Sequence, residues 1–119
     1  MRKVLIADDN ADLAQSLKLA LEASGYEVQV ARNGIDAIAS QVTFDADILI
    51  TDLVMPEQDG FETLRAFRKE FPKTRLVVMS GAQRFDPDKY LDAAMLIGAD
   101  AAFRKPFRVE ALLEKLRTL

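Results

Sequence analysis

A chain of 119 residues, 50% of them apolar, is long enough for one core and too short for two, so a single domain over residues 1–119 is expected. With 16 basic against 19 acidic residues and a formal net charge of -3, it has no surplus of positive charge to draw nucleic acid or an anionic membrane, which argues against direct DNA binding. Cysteine and histidine are both absent, excluding disulfides, thiol chemistry and imidazole as base, nucleophile or metal ligand; any metal must be bound by oxygen.

The start, Met1-Arg2-Lys3-Val4, runs straight into a short strand. It has no signal-length apolar segment and nothing of membrane-spanning length follows, so a cytoplasmic location is the default. The first apolar run, Val4-Leu5-Ile6-Ala7, is followed by Asp8 and Asp9. Asn10 or Asp12 can cap a helix whose Leu13, Leu17, Ala20 and Leu21 share one face, ended by Ser24-Gly25. Val28 and Val30 alternate with polar residues in a short second strand, and Asn33-Gly34 turns the chain into a helix carrying Ile35, Ile38, Ala39 and Val42. A third apolar run, Ile48-Leu49-Ile50-Thr51, delivers one carboxylate, Asp52, and breaks at once into a loop held by Pro56 and Gly60.

Beyond Gly60, residues Phe61, Leu64, Phe67 and Phe71 recur at helical spacing until Pro72. Arg75-Leu76-Val77-Val78-Met79 makes a fourth strand ending at Ser80-Gly81. A loop leads to Pro87, suited to a first helical turn, and a helix through Tyr90, Leu91, Ala94 and Met95 stops at Gly98. The fifth strand, from about Ala101 to Arg104, ends at Lys105-Pro106, and a last helix carries Val109, Leu112, Leu113 and Leu116. Five rounds of strand then helix require a parallel sheet with helices on both faces, because each parallel crossover needs a helix. The expected architecture is a doubly wound (βα)5 α/β sandwich with the flavodoxin-like strand order 2-1-3-4-5. That order sets the first and third strands side by side, so that Asp8, Asp9 and Asp52 converge in one crevice with Ser80 and Lys105 at its rim.

Three carboxylates in one crevice repel one another, each close pair by about 4 kcal/mol at 4 Å under an effective dielectric of 20. A hard divalent ion such as Mg²⁺ suits such oxygen ligands. Asp52 then reads as a nucleophile that accepts a phosphoryl group, Lys105 as a second cation on that phosphate, and Ser80 as a hydroxyl donor to a phosphate oxygen. Backbone N–H groups at Ser80, Gly81 and Ala82 would add further donors. Taken singly, each residue has a plainer use: Asp8 and Asp9 as helix-capping acids, Asp52 as a turn residue, Ser80 as a cap and Lys105 as a solvated charge. Their ordered arrival at one sheet end makes the functional reading specific.

With these motifs in order, Val4-Leu5-Ile6-Ala7-Asp8-Asp9-Asn10, Asp52-Leu53-Val54-Met55-Pro56 with Asp59-Gly60, Val78-Met79-Ser80-Gly81-Ala82, Gly98-Ala99-Asp100 and Lys105-Pro106-Phe107, the chain resembles a CheY-like receiver domain of two-component response regulators from Lys3 to Leu116. The resemblance implies that Asp52 is the phosphoacceptor, that Asp8 and Asp9 hold Mg²⁺ directly or through water, and that the Val54 carbonyl is a further ligand. It also implies a cis peptide at Lys105-Pro106 and a phosphohistidine donor on a sensor histidine kinase or histidine phosphotransfer protein. A downstream protein target would read the phosphorylated state. By the same resemblance the first helix is the kinase-docking surface, and the helix from Pro87 to Ile97, the fifth strand and the last helix form the output or dimer face. Such a chain is not an enzyme in its own right but assists its own phosphotransfer.

One departure is informative. The family usually has a ring three residues before the lysine, and here that position, the partner of Ser80 in switching, is Ala102. Strand alternation sends the adjacent Phe103 to the opposite face, so it cannot substitute. Val54 and Ala82, which in the family flank the path of an attacking water, cannot act as acid or base, and slow self-dephosphorylation is expected. Two other function classes compete: a phosphorylation-independent receiver-like interaction module, favoured only by Ala102, and an aspartate-nucleophile phosphohydrolase, which lacks a second acid because Val54 stands two residues after Asp52. The last helix ends at Leu119 with no effector domain behind it, as expected of either a stand-alone receiver or an excised domain.

Overall fold

The structure, a computed structural model, describes residues 2–55, 60–81 and 87–119. Its elements alternate without exception: β1 (Lys3–Ala7), α1 (Ala11–Ala23), β2 (Glu27–Ala31), α2 (Gly34–Phe44), β3 (Ile48–Asp52), α3 (Gly60–Glu70), β4 (Arg75–Gly81), α4 (Pro87–Ile97), β5 (Ala101–Lys105) and α5 (Val109–Thr118). The five strands are parallel, in the order β2-β1-β3-β4-β5. Ala7 of β1 lies level with Thr51 of β3, and Gly81 of β4 level with Lys105 of β5. All the strand ends that carry charged or hydroxyl groups therefore open on one edge of the sheet.

The apolar runs of β1, β3 and β4 are buried on both faces, as strands between two helical layers must be. Leu5, Leu49, Leu76 and Val78 point to one side and join Ala37 and Phe44 of α2, Leu64 and Phe67 of α3, and Leu91 and Ala94 of α4. Val4, Ile6, Ile48, Ile50, Val77 and Met79 point to the other and meet Ala14, Leu17 and Leu21 of α1 and Leu112 and Leu116 of α5. Asn10 caps α1 by accepting from the Leu13 N–H at 3.1 Å, settling the choice between Asn10 and Asp12, and Asn33 caps α2 through the Asp36 N–H at 2.8 Å. At the opposite pole Arg2 donates to the Leu116 and Leu119 carbonyls at 3.2 and 2.9 Å, closing the end of α5. Lys3 does the same for α2 through the Phe44 carbonyl at 3.2 Å. Among the described residues no helix is long and apolar enough to cross a membrane.

Helix α2 departs from the sequence expectation. Ile35 and Val42 are 51% and 71% exposed, and the sheet-facing set is Gly34, Ala37, Gln41 and Phe44. Both stripes of the helix are largely apolar, so periodicity could not choose between them. Small residues at Gly34 and Ala37 let the helix axis approach the sheet, and Gln41 is accepted inside because its amide is fully engaged with Ala46 and Thr74. Substituting Phe67→Ala at the centre of the α3 layer is expected to lower unfolding free energy by about 3–5 kcal/mol. The outward Val42→Ser is expected to change it by less than about 0.5 kcal/mol. Equilibrium urea unfolding of the two variants checks both, and comparable losses would contradict this placement of α2.

Candidate functional site

Asp8 comes one residue after β1, and its N–H still pairs with the Ala31 carbonyl at 3.1 Å, so the strand holds its backbone. The carboxylate is pinned in turn by accepting from the Asn10 N–H at 2.9 Å. Asp52 is the last residue of β3, level with Met79 of β4. Its carbonyl accepts from the Thr51 hydroxyl at 2.9 Å, and its side chain accepts from the Val54 N–H at 3.3 Å. Lys105 closes β5, and its ammonium group reaches across β4 to both acids, 3.1 Å from Asp8 Oδ2 and 3.0 Å from Asp52 Oδ2. Asp8 has no exposed side-chain surface, whereas the Asp52 side chain keeps 12%. Of the two, Asp52 is the one a reactant can reach.

The third acid, Asp9, is exposed. Carboxylate oxygens of Asp8, Asp9 and Asp52 lie within 4.8 Å of one another. Three hard oxygen donors at that spacing, drawn from two adjacent strands, fit a small divalent cation such as Mg²⁺. Ser80 adds a second observation: it is fully buried, and its Oγ has no hydrogen-bond partner among the described residues. A buried hydroxyl without a partner carries a desolvation cost that an acceptor brought to the site would relieve.

Burial raises the pKa of Asp8, and the nearby Asp52 charge adds to this; the Asn10 N–H and the Lys105 ammonium pull it down without cancelling the rise. Burial also pulls the Lys105 ammonium down, but the Asp52 and Asp8 carboxylates more than offset it, so Lys105 holds its proton more firmly than a free lysine. The site in this state is therefore a three-membered ion cluster with one cation shared between two acids.

Asp8, Asp9, Asp52 and Lys105 are brought together, with Ser80 and Gly81 on the intervening end of β4. Val54 follows Asp52 with its side chain 52% exposed and its N–H engaged by Asp52. Ala82, with the rest of residues 82–86, and Pro56 and Asp59 lie outside the described residues. Ala102 is half-buried against the α2, α3 and α4 side, level with Val78, while Phe103 lies on the α1 and α5 side, where its ring is 5.4 Å from that of Phe107. The Lys105-Pro106 peptide is cis.

Two residues went unnoticed in the sequence as parts of the site. Thr51 reads there as the end of a strand, and nothing signals that its hydroxyl would hold the Asp52 carbonyl. Gly60 reads as a loop former. In the structure its N–H donates to the Leu53 carbonyl at 3.0 Å, and any Cβ there would overlap the Asp52 carbonyl oxygen and the Leu53 Cα. The glycine lets α3 begin in direct contact with the strand end that carries Asp52.

Comparisons with known proteins agree with this geometry. A family model described as the response regulator receiver domain matches residues 4–117. The transcriptional regulatory protein TrcR of Mycobacterium tuberculosis is 34% identical over 119 residues, covering 98% of this chain and 44% of that protein. A protein-glutamate methylesterase/protein-glutamine glutaminase of Rhodospirillum rubrum is 40% identical over 107 residues, covering 89% and 28%. The chain thus spans less than half the length of these two relatives. Among solved structures, the chemotaxis protein CheY4 of Vibrio cholerae superposes with a TM-score of 0.87 at 32% identity, covering 99% of this chain and 98% of that one.

Because the folded pKa of Asp8 lies above its unfolded value of 3.8, the folded chain keeps a proton there over a pH window in which the unfolded chain has lost it. Stability therefore falls as pH rises through that window, and the ionised carboxylate is a cost at neutral pH. In metal-free buffer Asp8→Asn is expected to be more stable than the parent at pH 7, the difference shrinking as pH falls toward 3.8. Urea unfolding with and without Mg²⁺ checks this: added Mg²⁺ should stabilise the parent and not the variant. A variant less stable than the parent at pH 7 without metal would contradict it.

Proposed function

The chain belongs to the response regulator receiver domain family, and we propose that it is a phosphorylation-controlled signalling switch whose Asp52 accepts a phosphoryl group from a phosphohistidine on a sensor histidine kinase or histidine phosphotransfer protein. The observation that carries this reading is the placing of one reachable carboxylate, Asp52, 3.0 Å from the half-buried Lys105 ammonium group and beside two further acids. In the transfer an Asp52 oxygen bonds to phosphorus while the P–N bond to the donor imidazole breaks and its electron pair returns to the ring. Lys105 then exchanges its contact with Asp52 for one with a phosphoryl oxygen, keeping Asp8 as counter-charge. The Ser80 hydroxyl, without a partner among the described residues, donates to a second phosphoryl oxygen, and the Gly81 N–H is a further donor.

Mg²⁺, when bound, offsets the carboxylate charge and the charge of the phosphoryl oxygens. Asp8, Asp9 and Asp52 would hold it, with the Val54 carbonyl a fourth ligand by family resemblance. Asn10 fixes the Asp8 carboxylate for that role. The partner that reads the phosphorylated state is a downstream protein target, and α1 is the surface offered to the phosphodonor. A phosphohydrolase reading finds no support at Val54, whose exposed side chain has no proton to give to a leaving group.

Incubation with acetyl phosphate and Mg²⁺ is expected to add the mass of one phosphoryl group to the intact chain, and Asp52→Asn to abolish the gain. An unmodified parent chain would favour a phosphorylation-independent interaction module instead. With Val54 unable to guide an attacking water, the phosphoryl group is expected to persist for minutes or longer in Mg²⁺ buffer; decay within seconds, followed by the same mass measurement, would contradict that role for Val54.

A further inference from the structure

The route from Asp52 to the outer surface of the domain need not run along β4 and β5. On β5 the half-buried side chain beside the α3 and α4 layer is the methyl of Ala102, and the ring of Phe103 is turned to the other layer. A methyl group has no torsion to change and little reach. The contacts on the α3 side are of another kind. Gly60 lies so close to the Asp52 carbonyl oxygen and the Leu53 Cα that even one added carbon has no room, and it donates to the Leu53 carbonyl at 3.0 Å. Any displacement of residues 52 and 53 is therefore passed to the first turn of α3 with no slack to absorb it. The next residue, Phe61, stands edge-on to Tyr90 of α4, with ring centroids 5.7 Å apart and planes at 70°. Both rings are half-buried against the same core layer. Tyr90 belongs to the helix that presents Lys89, Asp92 and Leu96 to solvent, the last of them 89% exposed.

We propose that phosphorylation of Asp52 is transmitted to α4 through the first turn of α3, from the Asp52 carbonyl by way of Gly60 to the Phe61–Tyr90 ring pair. The inference rests on Asp52 being the phosphoacceptor. The trigger is local. The Asp52 side chain accepts from the Val54 N–H at 3.3 Å and shares the Lys105 ammonium with Asp8. Phosphorylation replaces the single carboxylate charge of Asp52 with about 1.5 to 2 negative charges on a phosphoryl group placed farther out, and so redistributes both contacts and with them the backbone from 52 to 54. Gly60 follows because it is packed on that backbone, and the ring of Phe61 moves with it. Tyr90 then shifts because an edge-to-face pair loses its electrostatic fit when one ring is displaced alone.

The test uses the full chain, isotope-labelled, with acetyl phosphate and Mg²⁺. Intact mass reports phosphoryl uptake, and backbone amide shifts of Lys89 to Leu96 report the response of α4 in the same sample. In the parent, α4 amides are expected to shift on phosphorylation. Phe61→Leu and Tyr90→Leu should take up the phosphoryl group to the same extent while their α4 shift falls about fivefold, within the range one ring pair commands. Tyr90→Phe, which keeps the ring, should retain the response, and the double leucine variant should lose no more than either single one. Unchanged amide shifts in β1 and α1 show that the variants keep their fold. An α4 response of parental size in both leucine variants, or none in a phosphorylated parent, overturns the inference. A chain that gains no phosphoryl mass overturns the functional reading itself, and this inference with it.

Discussion

One ammonium group shared by two carboxylates is the interaction on which the rest of the site depends. Lys105 enters from β5, two strands away from Asp52, a distance of about 10 Å across the sheet. It crosses β4 at Gly81, where no side chain stands in the way. The strand order places the acids on neighbouring strands and the base on the strand beyond β4. Without that cation the buried Asp8 would face Asp52 with, among the described residues, the Asn10 N–H alone to soften the repulsion. With it, the charge is balanced closely enough for the sheet to end in a cluster of acids.

The same arrangement sets two groups in unfavourable surroundings at the end of the sheet. Asp8 is held in a place where its ionised form is disfavoured, and Ser80 keeps a buried hydroxyl without a hydrogen-bond partner among the described residues. A cation near Asp8 and an acceptor near Ser80 are the kinds of group that would offset these two effects. Around this the two core layers are conventional. Apolar runs in β1, β3 and β4 are saturated on both faces, and the capping asparagines Asn10 and Asn33 start the two helices nearest the acids.

Much of this is legible in the sequence because it depends on pattern. Uninterrupted apolar runs bounded by a charge or a glycine mark buried parallel strands, and five repeats of strand and helix leave few topologies. The acids and the lysine could be placed on one edge because each sits at the end of such a run. Strand alternation was enough to send Ala102 and Phe103 to opposite layers. What stayed hidden depends on closeness. The inward face of α2 is set by the smallness of Gly34 and Ala37 and by a satisfied Gln41, which periodicity does not weigh. The part played by Gly60 follows from a backbone approach across eight residues, and the double contact of Lys105 from its reach over β4.

Arg2 has a consequence of its own. By gripping the carbonyls of Leu116 and Leu119 it brings the two ends of the polypeptide to the same pole, while Asp52 and its companions occupy the other. A reporter protein, a surface tether or a neighbouring module spliced to either end would project away from the acidic rim. A phosphodonor would still find its approach unobstructed, and the cargo would sense events at that rim only through whatever the body of the domain relays to it.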